Sequence, residues 1–390
     1  MTLRLGVLTT HPIQYQVPWF RALSQVPGLE LEVLFCMIPD AAQQGSGFGV
    51  KFQWDVPLLD GYRYRVLNNR APSPSVTTFM GCDTPDVYRI VREERWDAFI
   101  VNGWVAKSCL QLLWACKRAG VPCIVRGESN AIRPRAAWKR LIHRTLLKQY
   151  DAFLSIGSQN EAFYRANGVP QSSIFRTPYC IESERFAVPD RASGRKGPFT
   201  FLFSGKLIEK KRPLDALEAM RQMVAAVGPD QARLLIAGDG ELRQACEAFV
   251  AQHALPVEFR GFMNQSQMKQ VYAEADCLVL PSDNGETWGL VVNEAMAAGL
   301  PAIVSDQVGC HPDLITENVT GMTYPCGDAH ALARRMQQMA AAPDAALGMG
   351  QAGNRRVLEG YGYPQVVRGV LAALHHVCPS APRLESAPAG

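Results

Sequence analysis

The sequence predicts an α/β protein made of two Rossmann-like domains that face each other across a cleft. Its 390 residues are too many for one ordinary hydrophobic core and suit two domains. Short apolar stretches alternate with stretches of helical period, an order typical of parallel sheets covered by helices. The alternation stops at a polar stretch rich in proline and glycine, residues 187–198, and then begins again. We therefore predict two domains of similar size joined by a linker.

The composition is that of a globular protein. Hydrophobic residues make up 47% of the chain and charged residues 19%, whereas disordered chains have few apolar residues and a high net charge. The formal net charge of +4 is too small to argue for a nucleic-acid partner. The 11 cysteines include no C-x-x-C pair, which favours reduced core thiols over a disulfide framework or a zinc site.

The N-terminal segment is typical of a first strand rather than a signal peptide, because no long apolar stretch follows a basic start. No stretch of the sequence reaches the ~20 apolar residues that a membrane-spanning helix needs. We therefore expect a cytoplasmic protein, either free or bound peripherally to the inner face of the plasma membrane.

The N-terminal domain is predicted to cover residues 1–186. Its strands are predicted from short apolar stretches at residues 3–8, 31–37, 98–101, 123–125 and 152–156. Helical patterns cover residues 19–24 and 107–119. Residues 39–61 are glycine-rich and irregular, and a loop of that length in a compact domain is typically functional or disordered.

The C-terminal domain is predicted to cover residues 199–360. Its strands are predicted at residues 199–204, 233–237, 257–260, 277–280 and, as the last, 301–304. Helical patterns lie between them at residues 213–227, 241–253, 265–275 and 290–298. A helix at 361–378 is expected to pack back toward the N-terminal domain, and the tail at 379–390 to be disordered. Ligands of such sheets bind outside the carboxyl ends of the strands.

One segment of the C-terminal domain, residues 281–301, combines a loop with the start of a helix. Thr287 is predicted to be the N-cap, and Gly299 with Pro301 to end the helix. The backbone amides at the helix start are those of Trp288, Gly289 and Leu290. Because such amides lack partners within the helix and lie at the positive end of its dipole, they are expected to bind an anion.

Two glutamates belong to this segment: Glu286 precedes the helix, and Glu294 lies about two turns into it. An ionised carboxylate only accepts hydrogen bonds and can accept them from two adjacent hydroxyls. A ribose offers such a diol, and a pyranose offers several. The pair therefore favours a nucleotide-sugar ligand, although two glutamates alone also fit an ordinary capped surface helix.

The run E-x7-E, followed by Ala-Met-Ala-x-Gly-x-Pro, Val-Ser-Asp and a glycine-rich turn at Gly309, closely resembles family 4 of the retaining GT-B glycosyltransferases. The resemblance covers most of residues 199–330. It implies that Glu294 binds the ribose hydroxyls and that Glu286 binds hydroxyls of the donor sugar. It also implies that the amides of residues 288–290 bind the diphosphate. Relatives more often have phenylalanine at the position of Trp288.

A second matching element is the basic run at residues 204–212, which follows the first strand of the C-terminal domain. The family usually has Gly-Arg-Leu there and a lysine five residues after the arginine. In this chain Gly205 precedes Lys206 in the arginine position, and Lys211 has the lysine position. Fixed cations stabilise the charge of a departing diphosphate without a metal, although lysine lacks the bidentate geometry of arginine. Other basic residues in the run leave the register open, and a solvated charged face is the alternative.

Two glycine turns follow later strands, at residues 238–240 and at Gly261. In the family these turns approach the nucleotide, the second beside the base, so Phe262 and Met263 are implied as contacts of the base. Either turn alone also fits an ordinary connection between a strand and a helix. Phe262 fits a core position equally well.

The N-terminal domain resembles the family less closely. Its first strand is followed by a His-Pro-Ile-Gln-Tyr turn where most relatives have Gly-Gly, and this version resembles a bacterial subgroup associated with surface polysaccharide. Because the turn follows a strand end, His11 and Gln14 are candidates for contact with the acceptor or the donor phosphate. A histidine packed at a strand end explains His11 equally well.

Further candidates for the acceptor site come from two places. Arg126 and Glu128 follow the strand at 123–125, close to where many relatives have a cleft-facing histidine that this chain lacks. The resemblance implies that one of them takes part of that role. Trp54 and Asp55 lie in the irregular loop, and an indole stacks well on the apolar face of a sugar, although tryptophan is also common in cores.

Residues 131–150 contain six lysines and arginines and no acidic residue. Four apolar side chains at helical spacing form a stripe of Trp138, Leu141, Ile142 and Leu146. A basic amphipathic helix of this kind is typical of elements that bind an anionic membrane surface. The alternative is a helix whose apolar face packs into the domain core.

The leading hypothesis is a retaining, metal-independent glycosyltransferase that moves a sugar from a nucleoside-diphosphate sugar to a glycan or lipid-linked hydroxyl. The resemblance points to surface polysaccharide or lipopolysaccharide biosynthesis. The implied catalytic residues are Lys206, Lys211 and Glu286. The implied donor-binding residues are Gly205, Phe262, Met263, Trp288, Gly289, Leu290 and Glu294.

No cofactor is expected beyond the donor substrate, and no metal, because the sequence has no Asp-x-Asp between apolar strands and its seven histidines are dispersed. The alternatives are a GT-B sugar-nucleotide epimerase and a non-catalytic subunit that binds a nucleotide sugar. A dinucleotide-dependent oxidoreductase is disfavoured because no G-x-G-x-x-G motif follows the first strand.

Overall fold

The computed structural model describes residues 2–45, 47, 49–188, 197–380 and 384. The chain forms two compact units. Unit 1 comprises Met1–Gln43, Pro57–Cys180 and Gly362–Gly390. Unit 2 comprises Gln44–Val56 and Ile181–Tyr361. Each unit is built on a parallel sheet covered by helices, which confirms the predicted class of two Rossmann-like α/β domains.

The described part of unit 1 contains a seven-stranded sheet. Its strands are β1 (Leu3–Thr9), β2 (Leu29–Phe35), β3 (Arg63–Val66), β4 (Ala98–Val101), β5 (Cys123–Val125), β6 (Ala152–Ser155) and β7 (Ile174–Arg176). Their order is β3-β2-β1-β4-β5-β6-β7, and all neighbours are parallel. The direction of winding reverses between β1 and β4, and such a switch point is where doubly wound sheets bind ligands.

A six-stranded sheet forms the described part of unit 2. Its strands are β8 (Phe199–Ser204), β9 (Ala232–Ala237), β10 (Val257–Gly261), β11 (Cys277–Leu280), β12 (Ala302–Ser305) and β13 (Gly321–Tyr324). Their order is β10-β9-β8-β11-β12-β13, again with parallel neighbours, so the switch point lies between β8 and β11.

The helices cover these sheets. They are α1 (Val17–Ser24), α2 (Ala41–Gln44), α3 (Val87–Glu93), α4 (Lys107–Ala119), α5 (Ala137–Leu147), α6 (Ser158–Ala166), α7 (Ser183–Phe186), α8 (Pro213–Val227), α9 (Arg243–His253), α10 (Gln265–Glu274), α11 (Leu290–Ala297), α12 (His311–Leu314), α13 (Ala329–Ala341), α14 (Pro343–Gly360) and α15 (Tyr363–Val377). Helix α15 packs against α1, β6 and β7 of unit 1. Among the described residues, no helix is long and apolar enough to cross a membrane.

Three strands are absent from the sequence prediction. The edge strands β3 and β7 are short and carry charged residues, because an edge strand is not enclosed by neighbours on both sides and needs no continuous apolar stretch. The prediction that residues 301–304 form the last strand is wrong, since β13 follows and pairs with β12. Its four residues include a glycine and a threonine, which weakens the apolar pattern.

Two segments of the predicted N-terminal domain belong to unit 2 instead. One is residues 181–186, at the predicted end of that domain. The other is residues 44–56. The predicted linker at 187–198 lies outside the described residues apart from two positions at each end. The predicted disordered tail at 379–390 lies outside them apart from residues 379, 380 and 384.

Candidate functional site

The residues implied in donor binding all lie on unit 2, on segments that follow β8, β10 and β11. Gly205 and Lys206 follow β8, and Phe262 follows β10. The loop after β11 contains Glu286, and α11 carries Glu294. Because the strands are parallel, these segments leave the same edge of the sheet, those after β8 and β11 at its switch point.

The helix α11 begins at Leu290, as its helical pattern predicts, but its N-cap is not the predicted residue. Its N-cap is Gly289, with φ of 100°, and Leu290 is its first residue, so the prediction of Thr287 as N-cap is wrong. This left-handed conformation is one that glycine adopts without strain. The backbone amides of Gly289 and Leu290 donate no hydrogen bond within the described part of the chain. They are therefore available to an anion.

Trp288, the residue before the N-cap, holds this turn in place through its side chain and its carbonyl. Its indole is buried and donates a hydrogen bond of 2.8 Å to Oδ1 of Asn293. Its carbonyl accepts a bond of 2.9 Å from the amide of Cys310. Gly309 packs so closely that a Cβ there would lie 1.8 Å from the carbonyl oxygen of Thr287. The side chain of Trp288 is therefore a structural support, and only its backbone remains as the predicted ligand contact.

Glu286 forms an ion pair with Lys211, and each side chain is only 12% exposed. Ser282 donates a further hydrogen bond of 3.3 Å to the same carboxylate oxygen. Burial pushes the pKa of Glu286 upward, but the charge and hydrogen bond of Lys211 outweigh it and hold the pKa below the ordinary value. Glu286 is therefore ionised at neutral pH.

The basic segment after β8 is tied to the same loop. The carbonyl of Lys210 accepts a hydrogen bond of 2.9 Å from the amide of Asp283. Burial, and then repulsion from Lys210 and Lys211, lowers the pKa of Lys206. Mutual repulsion of this kind is relieved when an anion binds between the lysines. Among the described residues, no group of three His, Cys, Asp or Glu side chains is placed to hold a metal ion.

Glycines bring the backbone close to this charge. Gly205 has φ of 147°, and a Cβ there would lie 3.6 Å from Cε of Lys211. At Gly238 a Cβ would lie 1.8 Å from the carbonyl oxygen of Gly205. The two turns therefore touch through their backbones, and a side chain at Gly238 would separate them.

Glu294 occupies a different environment. The hydroxyl of the buried Tyr272 donates a hydrogen bond of 2.7 Å to its Oε2. Burial raises the pKa of Glu294 to about 7, although the bond from Tyr272 acts in the opposite direction. Nothing in the sequence marks Tyr272, which belongs to an ordinary helical pattern.

Phe262 is covered by residues 49–56, which we call the strap. The rings of Phe52 and Phe262 stack with centroids 4.1 Å apart at an angle of 30°, and Trp54 meets Phe52 edge-on. Trp54 was predicted as an acceptor contact of the N-terminal domain, whereas its segment belongs to unit 2. Met263 lies half-buried in the same turn as Phe262.

The C-terminal end of the strap is held by polar contacts. The carboxylate of Asp55 accepts a hydrogen bond of 3.2 Å from the amide of Ser266, near the start of α10, and another from the Ser266 hydroxyl. Nδ2 of Asn264 donates a bond of 2.8 Å to the carbonyl of Gln53. Asn264 also caps α10. Asp55 is therefore partnered by a helix start in this structure.

The acceptor candidates of unit 1 lie near the carboxyl edge of its sheet. Nδ1 of His11 shares a hydrogen bond of 2.9 Å with Thr10, and burial lowers the pKa of His11 to about 4, so its ring is neutral at neutral pH. Gln14 is half-buried in the same loop. Arg126 is buried, and Glu128 accepts a hydrogen bond from the hydroxyl of Tyr179.

The basic helix α5 does not bury the predicted apolar stripe. Trp138 is 61% exposed, Leu141 66% and Ile142 54%, whereas Leu146 packs against the unit 1 core. The interpretation of these residues as a core-facing stripe is therefore wrong for the first three. An exposed apolar group beside basic residues needs another explanation.

A family model for glycosyl transferases group 1 matches residues 189–356. A GDP-mannose-dependent alpha-mannosyltransferase of Mycobacterium tuberculosis is 30% identical over 325 residues, which cover 75% of this chain and 79% of the relative. The amylovoran biosynthesis glycosyltransferase AmsK of Erwinia amylovora is 35% identical over 175 residues, which cover 43% of this chain and 42% of AmsK. The match to AmsK thus spans less than half of its length.

Solved structures resemble the whole chain. A sucrose-phosphate synthase from Thermosynechococcus elongatus has a TM-score of 0.70 at 19% identity, covering 97% of this chain and 100% of the other. The Anabaena protein HepE, solved in complex with UDP-glucose, has a TM-score of 0.71 at 13% identity with the same coverage. At these identities the likeness concerns the fold, and it agrees with the predicted GT-B architecture.

Proposed function

Because this chain belongs to the group 1 family of glycosyl transferases, we propose that it transfers a sugar from a nucleoside-diphosphate sugar to a hydroxyl acceptor. The transfer retains the anomeric configuration and needs no metal ion. The observation that carries this proposal is the meeting of Glu286, Lys211 and the free amides of α11 at the switch point of unit 2. An ionised carboxylate, cations and free amides are the groups that bind hydroxyls and a diphosphate.

Each part of the nucleoside-diphosphate sugar is assigned to residues of unit 2 with matching chemistry. The amides of Gly289 and Leu290, together with Lys206 and Lys211, bind the diphosphate. Glu286, kept ionised by Lys211, accepts hydrogen bonds from the donor sugar. Glu294, with Oε2 already bonded to Tyr272, presents Oε1 to the ribose hydroxyls. The turn of Phe262 and Met263 contacts the base.

The chemical step follows from these charges. The acceptor oxygen bonds to the anomeric carbon on the face from which the diphosphate departs, and the departing phosphate oxygen takes the acceptor proton. Lys206 and Lys211 stabilise the charge that develops on the diphosphate, which supports a metal-independent reaction. Because its pKa is held low, Glu286 orients the sugar and does not act as the proton donor.

The name of AmsK, an amylovoran biosynthesis glycosyltransferase, supports a place for this chain in surface polysaccharide biosynthesis with a glycan or lipid-linked acceptor. The exposed Trp138, Leu141 and Ile142 on the basic helix α5 support peripheral binding to an anionic membrane on the cytoplasmic side. A lipid-linked acceptor and a membrane-bound enzyme fit together, because both place the reaction at the bilayer surface.

The donor assignment is tested by calorimetry with UDP-, GDP-, ADP- and dTDP-sugars. We expect Glu294→Ala to weaken binding of the preferred donor by about 10- to 100-fold, since it removes a charged hydrogen-bond acceptor. Glu247→Ala is the control, because Glu247 is an exposed glutamate on α9 paired with Arg243. Unchanged donor affinity in Glu294→Ala would contradict the assignment.

The reaction itself is tested with the preferred donor and candidate acceptors in the presence of EDTA. We expect a product of retained configuration, and complete loss of activity on chelation would contradict the metal-independent mechanism. Conversion of the donor to an epimer without acceptor would indicate the epimerase instead. Tight donor binding with neither transfer nor hydrolysis would indicate a non-catalytic subunit.

Membrane binding is tested by sedimentation with vesicles of neutral and of anionic lipid. We expect the protein to sediment with anionic vesicles, and the double variant Trp138→Ser, Leu141→Ser to lose most of this binding because both side chains would enter the interface. Trp114→Ser is the matched control, since Trp114 is an exposed tryptophan on α4. Equal partitioning between the two lipid compositions would contradict an electrostatic contribution.

A further inference from the structure

Unit 1 holds a group of buried and half-buried side chains with polar atoms at its own switch point. Asn102 follows β4 and Arg126 follows β5, while Gln16 and Trp19 lie on the segment after β1. The three strands are neighbours in the sheet. Nδ2 of Asn102 donates a hydrogen bond of 3.0 Å to Gln16, which fixes the Asn102 amide.

The backbone holds the arginine at this edge. The amide of Arg126 donates a hydrogen bond of 2.9 Å to the carbonyl of Val101, at the end of β4. The guanidinium carbon lies 4.8 Å from the ring centre of Tyr179 and 5.7 Å from that of Trp19. Aromatic contacts therefore position the flat face of the guanidinium, and the N–H groups at its edge are left to donate hydrogen bonds.

Two donors on that edge, Nε and Nη1, have no hydrogen-bond acceptor among the described residues. Arg126 is 3% exposed, yet its Nε and Nη1 make no hydrogen bond within the described part of the chain. The same holds for Oδ1 of Asn102 and for Nε1 of Trp19. A buried guanidinium with unused donors is strongly unfavourable unless an anion binds to it, and such groups are rare in folded proteins.

The nearest carboxylate does not fill this role. Oε1 of Glu128 lies 3.9 Å from Nη1 of Arg126, which is beyond hydrogen-bond distance. The same oxygen already accepts a hydrogen bond from the hydroxyl of Tyr179.

We propose that Arg126 and Asn102 form a subsite for an oxyanion carried by the acceptor, either a phosphate or a carboxylate. Nε and Nη1 of Arg126 donate to the anion, since a guanidinium edge matches the spacing of two oxyanion oxygens. Oδ1 of Asn102 accepts from a hydroxyl of the same molecule. This inference rests on the proposed function, because the donor diphosphate is assigned to unit 2, and it makes the acceptor an anionic one.

The subsite is tested by ligand-observed NMR on the full chain, titrated with methyl phosphate and with acetate. Saturating nucleoside diphosphate is added to occupy the donor site of unit 2, so that probe binding there does not contribute to the signal. We expect the wild type to bind at least one probe and Arg126→Met to bind it about 10- to 100-fold more weakly. Stronger binding of methyl phosphate indicates a phosphate-bearing acceptor, and stronger binding of acetate an acidic sugar.

Arg118→Met is the matched control, because Arg118 is an exposed arginine of the same unit that also lies over a tyrosine ring. We expect it to bind both probes as the wild type does. Equal probe affinity in Arg126→Met and the wild type would overturn the proposal. So would failure of the wild type to bind either probe.

Folding and function are separated by two further measurements. Arg126 is a buried charge whose Nε and Nη1 donate no hydrogen bond to the described residues, so an apolar side chain of similar length should leave the melting temperature of Arg126→Met at or above that of the wild type. A fall in melting temperature together with unchanged probe binding would indicate a structural role only. We also expect Arg126→Met to retain full nucleotide affinity. If the wild type binds no nucleotide, the proposed function fails, and the probes are then titrated without nucleotide.

Discussion

Glu286 and Glu294 show how the same side chain, eight residues apart on one segment, acquires opposite properties. Both are removed from solvent, which by itself favours the neutral acid. Lys211 reverses that tendency at Glu286 and keeps it ionised. At Glu294 burial outweighs the hydrogen bond from the neutral hydroxyl of Tyr272 and the charges of Arg185 and Lys211, so its pKa rises to about 7. One carboxylate is therefore charged at neutral pH, and the other titrates near neutrality.

The raised pKa of Glu294 predicts a pH-dependent stability. The folded protein holds an extra proton between about pH 4.5 and pH 7, so its free energy of unfolding falls as pH rises through that window and levels off above it. The free energy of unfolding is measured with urea across this pH range. We expect it to decline less in Glu294→Gln than in the wild type, by on the order of 1 kcal/mol. Glu247→Gln, exposed on α9, should keep the wild-type slope. Identical slopes for the wild type and Glu294→Gln would show that Glu294 does not titrate in this range.

At the scale of elements, the strap packs against the turn after β10 and covers one face of Phe262. The strap places Phe52 against Phe262 with 4.1 Å between ring centres, a separation that leaves no room for a third ring. Asp55, at the other end of the strap, is held by the start of α10. A nucleobase that stacks on this face of Phe262 must therefore displace Phe52 while Asp55 keeps the strap attached.

We accordingly predict that Phe52→Ala increases donor affinity several-fold, because the base no longer competes with a phenyl ring. Donor binding should also raise hydrogen exchange in residues 49–56 of the wild type. Phe79→Ala, an exposed phenylalanine of unit 1, is the control in calorimetry. A loss of donor affinity in Phe52→Ala would mean that Phe52 instead forms part of the base site.

At the scale of the whole molecule, the chain leaves unit 1 and returns to it twice. Residues from Gln44 to Val56, which include the strap, are one excursion, and residues from Ile181 to Tyr361 are the other. Helix α15 then completes the unit 1 core with Val366, Val370 and Leu374, which pack with residues of β1 and β2. The stability of unit 1 therefore depends on residues that follow unit 2 in the sequence.

This connectivity predicts an asymmetric effect of truncation. A chain ending at Tyr361 loses all of α15 with its six buried apolar side chains, of which three alone are worth about 5 kcal/mol, so unit 1 should lose hydrogen-exchange protection in β1 and β6. Unit 2 should retain its protection and its nucleotide affinity. A chain ending at Ser380 is the control and should behave as the full chain does. Unchanged protection of unit 1 in the shorter chain would contradict this account.

The sequence by itself determined the two parallel α/β sheets and the segment from Glu286 to Glu294. Both are local patterns: apolar strands recur with helical stretches between them, and the motif residues lie close together along the chain. The strands β3, β7 and β13 escaped prediction because short strands with charged or small residues carry little local signal.

Only the tertiary structure decided how these residues behave. The bond from Tyr272 to Glu294 and the pairing of Lys211 with Glu286 join different elements of unit 2. The contact of Asp55 with Ser266 joins residues 211 positions apart and moves the strap to unit 2. The unused donors of Arg126 appear only when its whole surroundings are known. Burial and pairing set pKa values and binding capacity, and they depend on neighbours in space that no local pattern specifies.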